Sequence, residues 1–303
     1  MIKVEGLTKS FGDYNALDNV TCSIFNSSIC GIVGSNGAGK STLLRLITGV
    51  YKQDKGSIFI DDEPVFDNPH IKSKIAYVPD ELYFTHGATI ETMAGIYSSV
   101  YEKFDIERCH MLADSFKLNT KKNISTFSKG MKRQAATILA LATKADYLFF
   151  DETFDGLDPV VRGFVKSLIC QDVLERNATT IITSHSLREL EDVCDKLALL
   201  HKGGLILQSD IENLKTSHFK VQLAFPFEYD ESLFDDIEHL RFKKSGSVSS
   251  MIIKGDLETT EKLLRAKNPV ICDILPLTLE EVFSYEMETL EYTFNADILG
   301  MGV

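Results

Sequence analysis

Nine residues constrain this chain more than any other stretch: GSNGAGKST, Gly34 to Thr42. A short apolar run, ICGIV, precedes them, and a helical segment, Ser41–Thr48, follows. The nine match the pattern G-x-x-x-x-G-K-[ST] in full. Glycines let such a loop wrap with its N–H groups pointing inward, and the helix start adds a positive end, so together they make an anion site. Gly34, Ser35, Asn36, Gly37, Ala38 and Gly39 form the wrap. Lys40 is placed to reach β- and γ-phosphates, Ser41 to ligate Mg²⁺ through its hydroxyl, and Thr42 to contact the α-phosphate side. The alternative is a chance glycine-rich turn, and a strand before and a helix after argue against it. Alone, the motif specifies a nucleoside triphosphate and not its use.

Around this loop, short apolar runs alternate with helical patterns. IAYVP (Ile75–Pro79), DYLFF (Asp146–Phe150) and TTIITS (Thr179–Ser184) resemble ICGIVG in length and composition. Such runs suit parallel strands covered on both faces. Helical segments are expected at Ser41–Thr48, within about Ile90–Leu118, at Lys129–Thr143 and at Val160–Arg176. The alternation predicts an α/β fold with a mainly parallel core sheet. The first ~25 residues, with VEGLTKSFG and ALDNVTCSIF, suggest antiparallel strands at the domain edge. After KGGLILQSD the character changes. FKVQLAF, LRFKKSG and VSSMIIKG look like strands, and Leu257–Lys267 and Thr278–Leu290 look helical. Residues 1–214 are therefore expected to form the main domain, with a helical subdomain at about 82–143. Residues 215–303 are expected to form a small α+β appendage.

Bulk properties narrow the partners. The 303 residues are 44% hydrophobic, enough for a large core, and the net charge is -12. That sign disfavours nucleic acid and an anionic membrane surface as main partners. No run of ~18 apolar residues marks a membrane span, and MIKVEGLTKSFG lacks the apolar core of a signal peptide, so a cytoplasmic location is expected. Six cysteines without C-x-x-C spacing are most simply free thiols.

Two further sites carry chemistry. YLFFDE (Tyr147–Glu152) is an apolar strand ending in two acids. Beside a phosphate loop, Asp151 is placed to hold Mg²⁺. Glu152, one position on, points elsewhere and could orient an attacking water as general base. In isolation the two acids would simply end a strand. His185 ends another candidate strand, where ligands of open α/β sheets collect, and a neutral imidazole there could bridge γ-phosphate and water. A lone histidine is more often structural.

In order and spacing, GSNGAGKST, FSKGM, YLFFDE, GLD (Gly156–Asp158) and TSH resemble the ATP-binding subunit of ABC transporters. The resemblance covers about residues 1–215 and implies a P-loop NTPase cassette that binds and hydrolyses ATP with Mg²⁺. FSKGM stands where the family has its signature, so Ser128 and Gly130 would face a γ-phosphate held by another copy's Lys40. GLDP stands where the family has a loop that contacts the partner across a dimer, which assigns Asp158. Phe11 falls at the family's adenine-stacking aromatic; a core strand residue is the alternative. Asp80 in YVPDE takes the place of the usual Gln and, though shorter and charged, could still face Mg²⁺. Lys129 replaces a usual Gly, and Thr153 a usual Pro.

The resemblance further implies a homodimer, or a pair with a paralogous ATPase subunit, in which ATP binding closes the interface. Such a pair docks on membrane-spanning permease subunits at the inner face of the cell membrane. Tyr83, Phe84, Tyr97, Tyr101 and Phe104 would suit the docking groove, or ordinary helix packing. FSKGM, a single cassette and TLEEVF look most like bacterial exporters of the ABC-2-like type. A soluble cassette ATPase acting on the ribosome is the alternative, but such proteins usually carry two cassettes.

Overall fold

The computed structural model describes residues 1–289, and the chain divides into two compact units after Gln208. The first unit opens with β1 (Ile2–Phe11) and β2 (Tyr14–Ile24), which pair antiparallel. Next come β3 (Ile29–Val33), the phosphate-loop segment, α1 (Lys40–Ile47), β4 (Lys55–Ile60), β5 (Glu63–Pro64), the short α2 (Pro69–Lys72) and β6 (Ile75–Val78). A helical insert follows with α3 (Ile90–Val100), α4 (Ile106–Ser115) and α5 (Lys129–Ala142). The unit then runs through β7 (Tyr147–Asp151), α6 (Pro159–Arg176), β8 (Thr179–Ser184), the short α7 (Leu187–Leu190), β9 (Lys196–His201) and β10 (Gly204–Asp210), within which the division falls.

Two sheets result. One has the order β2-β1-β4-β5, the other β10-β9-β3-β8-β7-β6. In the second, β9, β3, β8, β7 and β6 are neighbours in parallel register. Every residue of β3, β7 and β8 is buried, as strands covered on both faces require. Apolar side chains of both sheets and α1 share one core, including Ile2, Leu7, Leu17, Ile32, Leu43, Phe149 and Ile181. Parallel register has one consequence for function. The loops after β3, β6, β7 and β8 all leave from the same edge, where open α/β sheets bind ligands.

Within the insert, the mixed stretch expected at about Ile90–Leu118 is two helices, α3 and α4. Asp105 interrupts it and caps α4, accepting from the Arg108 N–H at 2.9 Å. Tyr97 stacks on Tyr101, with Phe104 beside it, and the Tyr101 hydroxyl donates to the Ile75 carbonyl at 2.8 Å. These three aromatics therefore pin the insert to β6. Tyr83, by contrast, is 84% exposed.

The second unit contains α8 (Ile211–Ser217), β11 (His218–Ala224), β12 (His239–Ser245), β13 (Val248–Lys254), α9 (Leu257–Ala266), β14 (Ile271–Pro276) and α10 (Leu279–Thr289). Its antiparallel sheet has the order β12-β13-β11-β14 over a core of Phe219, Val221, Phe234, Met251 and Leu264. Residues 290–303, including Leu290 of the expected last helix, lie outside the described residues.

Candidate active site

The phosphate loop shapes one wall of a cleft of about 300 Å³, lined by Tyr14, Ala16, residues 36–42, Asp80 and Glu152. Gly39 has φ 106°, and a Cβ there would sit 2.6 Å from the Ala16 carbonyl oxygen. Only glycine fits that combination of backbone and space. Gly34 and Ser35 stand just behind the lining, where their carbonyls hold Lys40. The Lys40 ammonium, almost fully buried, donates to Gly34 O at 2.7 Å and Ser35 O at 3.2 Å, and pairs with Glu152 at 3.0 Å. An ammonium has three N–H donors, so all three are engaged.

Behind the loop, Asp151 is fully buried at the end of β7. Its Oδ1 accepts from Ser41 at 3.1 Å and Thr183 at 2.6 Å, and its Oδ2 from Tyr77 at 3.3 Å. Burial pushes the Tyr77 hydroxyl well above its ordinary range, and the Asp151 charge adds to this, so Tyr77 stays a donor. A hydroxyl and a buried carboxylate side by side are hard oxygen ligands of the kind Mg²⁺ takes, alongside water and phosphate oxygens. The residues present therefore fit that ion.

Glu152 has φ 48°, a left-handed conformation uncommon for a non-glycine residue. Its N–H donates to Thr183 Oγ1 at 3.0 Å, which anchors the turn. Its two oxygens divide their work, Oε1 meeting Lys40 and Oε2 lying 3.0 Å from His185 Nδ1. Residues from the ends of β3, β7 and β8 are thus brought into one chain of contacts. Strain of this sort persists where surroundings enforce it, and it gathers at functional sites.

Other expected residues fall elsewhere. Ser128 Oγ accepts from the Met131 N–H at 3.2 Å and caps α5. Gly130 packs so closely on the 156 peptide that a Cβ would lie 2.9 Å from Gly156 O. Asp158 caps α6, accepting from the Val160 and Val161 N–H groups at 3.0 Å each. None of Ser128, Gly130 and Asp158 is among the lining residues of the cleft that holds Lys40. Phe11 is 46% exposed and meets Tyr51 edge-on at 5.6 Å, outside that lining and outside the core. Asp80 does line the cleft, with one oxygen paired to Arg133 at 3.0 Å.

Sequence reasoning missed several contributors. Tyr14, across the β1–β2 turn from Phe11, lines the cleft and donates to Gly37 O at 3.0 Å. Thr183 joins Asp151 to Glu152; its place at the polar end of TTIITSH was the available signal. Lys129 pairs with Asp155 at 2.7 Å, and this bond holds the Asp155 carboxyl below its usual range. Lys129 thereby ties the start of α5 to the loop before Gly156. Thr153 is fully buried, and its hydroxyl finds no hydrogen-bond partner; nothing in the structure explains the choice of Thr there.

A phosphate loop at a strand–helix junction, faced by a buried aspartate at the end of a parallel strand two places along the same sheet, defines a P-loop nucleotide-binding cassette. The ABC transporter family model matches residues 17–155. The ABC transporter ATP-binding protein YtrB of Bacillus subtilis is 30% identical over 283 residues, covering 93% of this chain and 97% of that protein. The bacitracin transport ATP-binding protein BcrA of Bacillus licheniformis is 30% identical over 224 residues, 73% of each chain. The chain belongs to the family of ABC transporter ATP-binding proteins. Among solved structures, an ATP-binding subunit of an ABC transporter superposes with TM-score 0.65 at 24% identity, over 71% of this chain and 91% of its own. The cassette MJ0796, solved as a dimer in a post-hydrolysis state with ADP and Pi, has TM-score 0.61 at 20% identity, over 70% and 99%. Both likenesses show the fold.

Proposed function

We propose that the chain hydrolyses ATP in this cleft with Mg²⁺ and acts as a head-to-tail dimer that powers an exporter. The contact chain from Lys40 through Glu152 to His185, set against a phosphate loop, carries the reading. Ser41 and Asp151 would hold Mg²⁺, which when bound supplies positive charge to β- and γ-phosphate oxygens. Lys40 exchanges Glu152 for those oxygens. Glu152 is then free to accept a proton from water, while His185, whose Nδ1 lies 3.0 Å from Oε2, keeps the carboxylate oriented. Asp80, which lines the same cleft as Ser41, would join the metal's surroundings through the oxygen not paired with Arg133. Tyr14 and Phe11 offer aromatic faces for the base.

One side of the nucleotide stays uncovered by this arrangement. The start of α5, with Ser128 and Gly130, is a second anion-binding end and lies outside the cleft lining. A second copy would bring that end, and Asp158, to the γ-phosphate, so nucleotide binding would close a two-fold pair. The ADP- and phosphate-bound dimer of MJ0796 supports this.

Among the described residues, no helix is long and apolar enough to cross a membrane. Attachment to the inner membrane face through permease subunits follows from family membership, with exposed Tyr83 and its neighbour Phe84 as contact residues. Export as the direction rests on FSKGM, the single cassette and TLEEVF, which look most like those of bacterial exporters. Phosphate release from Mg-ATP tests the enzyme. Turnover should vanish in EDTA and in Asp151→Asn, and undiminished turnover in both would overturn the metal assignment. Pull-down from a detergent extract tests the transporter. Integral membrane proteins should be recovered, and ribosomal proteins in their place would overturn that half.

A further inference from the structure

Arg133 lies between Lys132 and Gln134, just before the apolar run of α5, and is yet only 1% exposed. Its guanidinium cannot shed its proton, and a buried charge needs a partner. Nη2 pairs with Asp80 Oδ1 at 3.0 Å. Nη1 is 3.1 Å from the Asp80 carbonyl and 3.5 Å from those of Pro79 and Asp151. Nε has no hydrogen-bond partner. Among the described residues Asp80 is the carboxylate that bonds this cation, and it also lines the nucleotide cleft.

Charge balance in the cleft gives the pair its meaning. Glu152 is matched by Lys40, and Asp151 is held by three hydroxyls. Asp80 adds a third carboxylate where a triphosphate must enter. Without compensation it would repel the incoming phosphates. We propose that Arg133 is a charge-balancing and positioning residue of the nucleotide cleft. Its cation offsets Asp80, and its bonds to the Asp80 and Asp151 carbonyls fix the ends of β6 and β7 against α5. Asp80 and Arg133 thus work as a unit, either of which is harmful alone. This inference rests on the nucleotide reading of the cleft.

The test compares Arg133→Gln, Asp80→Gln and the double variant, with Lys40→Ala as control. Two quantities are read: melting temperature without nucleotide, and affinity for a fluorescent ATP analogue in EDTA. Arg133→Gln should weaken nucleotide binding about tenfold, the effect of an unshielded charge near the phosphates. Asp80→Gln alone strands a buried guanidinium and should lower the melting temperature by roughly 5 °C, a half-exposed pair costing less than a dry one. The double variant should bind within about threefold of wild type and regain most of the lost melting temperature. A purely structural Arg133 would lower the melting temperature of Arg133→Gln without the tenfold loss of nucleotide affinity, and that result too would overturn the proposal. Additive losses in the double variant overturn the proposal. Should Arg133→Gln fail to fold, the double variant decides: a folded, nucleotide-binding protein supports the pairing, and failure to fold overturns it. If Lys40→Ala binds like wild type, the nucleotide reading itself falls; if Lys40→Ala is weak and the double variant is not rescued, only the Arg133 assignment falls.

Discussion

Replacing Glu152 by Gln should separate two roles that one carboxylate performs. In the free protein Glu152 occupies one of three donors of Lys40, at 3.0 Å, with side-chain exposures of 12% and 6%. An incoming phosphate must displace it. A charge-assisted bond of this kind is worth about 1.5–3 kcal/mol, and a neutral amide keeps part of it. Losing ~1 kcal/mol of competition should tighten ATP binding about fivefold. Backbone strain at φ 48° is common to Glu and Gln, so folding should change little. Turnover moves the other way. Removing a general base costs about 10²–10⁴ in rate, or roughly 3–5 kcal/mol on the barrier. Calorimetric titration with ATP in EDTA and single-turnover phosphate release measure the two effects. Tighter binding with turnover lowered at least a hundredfold is the expected pair of results. Turnover within threefold of wild type would refute the base assignment, and weaker binding would refute the Lys40 competition.

Three other expectations follow from the same contacts. Lys40→Ala removes the only ammonium in the cleft lining and should abolish tight ATP binding, so unchanged affinity by calorimetry would contradict the cradle. Thr183→Val deletes a buried donor to Asp151 and a part-buried acceptor for the Glu152 N–H, and should cost about 2–4 kcal/mol, read as a melting temperature lower by roughly 5–10 °C. Burial pushes the Cys22 and Cys30 thiols up to about 12 and that of Cys109 up to about 11, and raises Cys194 well above its usual range. A thiol reagent near pH 8 should therefore modify only the half-buried Cys170 and Cys272 in the native state, and labelling of Cys30 before unfolding would contradict the burial.

Features whose parts are neighbours in sequence were legible without coordinates. GSNGAGKST carries its own strand, turn and helix start. YLFFDE and TTIITSH each place polar groups at the end of an apolar strand. The α/β alternation and the antiparallel character of the first and last segments were readable too, because periodicity is local. Strand order was not: alternation cannot say that β3 lies between β8 and β9. Equally hidden were pairings across long separations. Arg133 meets Asp80 over 53 residues, Lys129 meets Asp155 over 26, and Thr183 meets Asp151 over 32. Each residue alone reads as a surface charge or a strand threonine. The aromatic at the cleft shows the same limit. Position in a motif pointed to Phe11, and nothing local showed that Tyr14, across the turn, lines the cleft.

Whether the signature end of one subunit completes the phosphate site of another is the central claim, and mixing two defective variants tests it most directly. Lys40→Ala removes the phosphate contact and Ser128→Arg blocks the start of α5, so each variant alone should be inactive. In a mixed dimer one site would combine an intact Lys40 with an intact Ser128. An equal mixture should recover about a quarter of wild-type phosphate release, since half the dimers are mixed and each has one of two sites intact. No recovery from a mixture shown by mass to contain mixed dimers would contradict the shared site and place the whole reaction within a single copy.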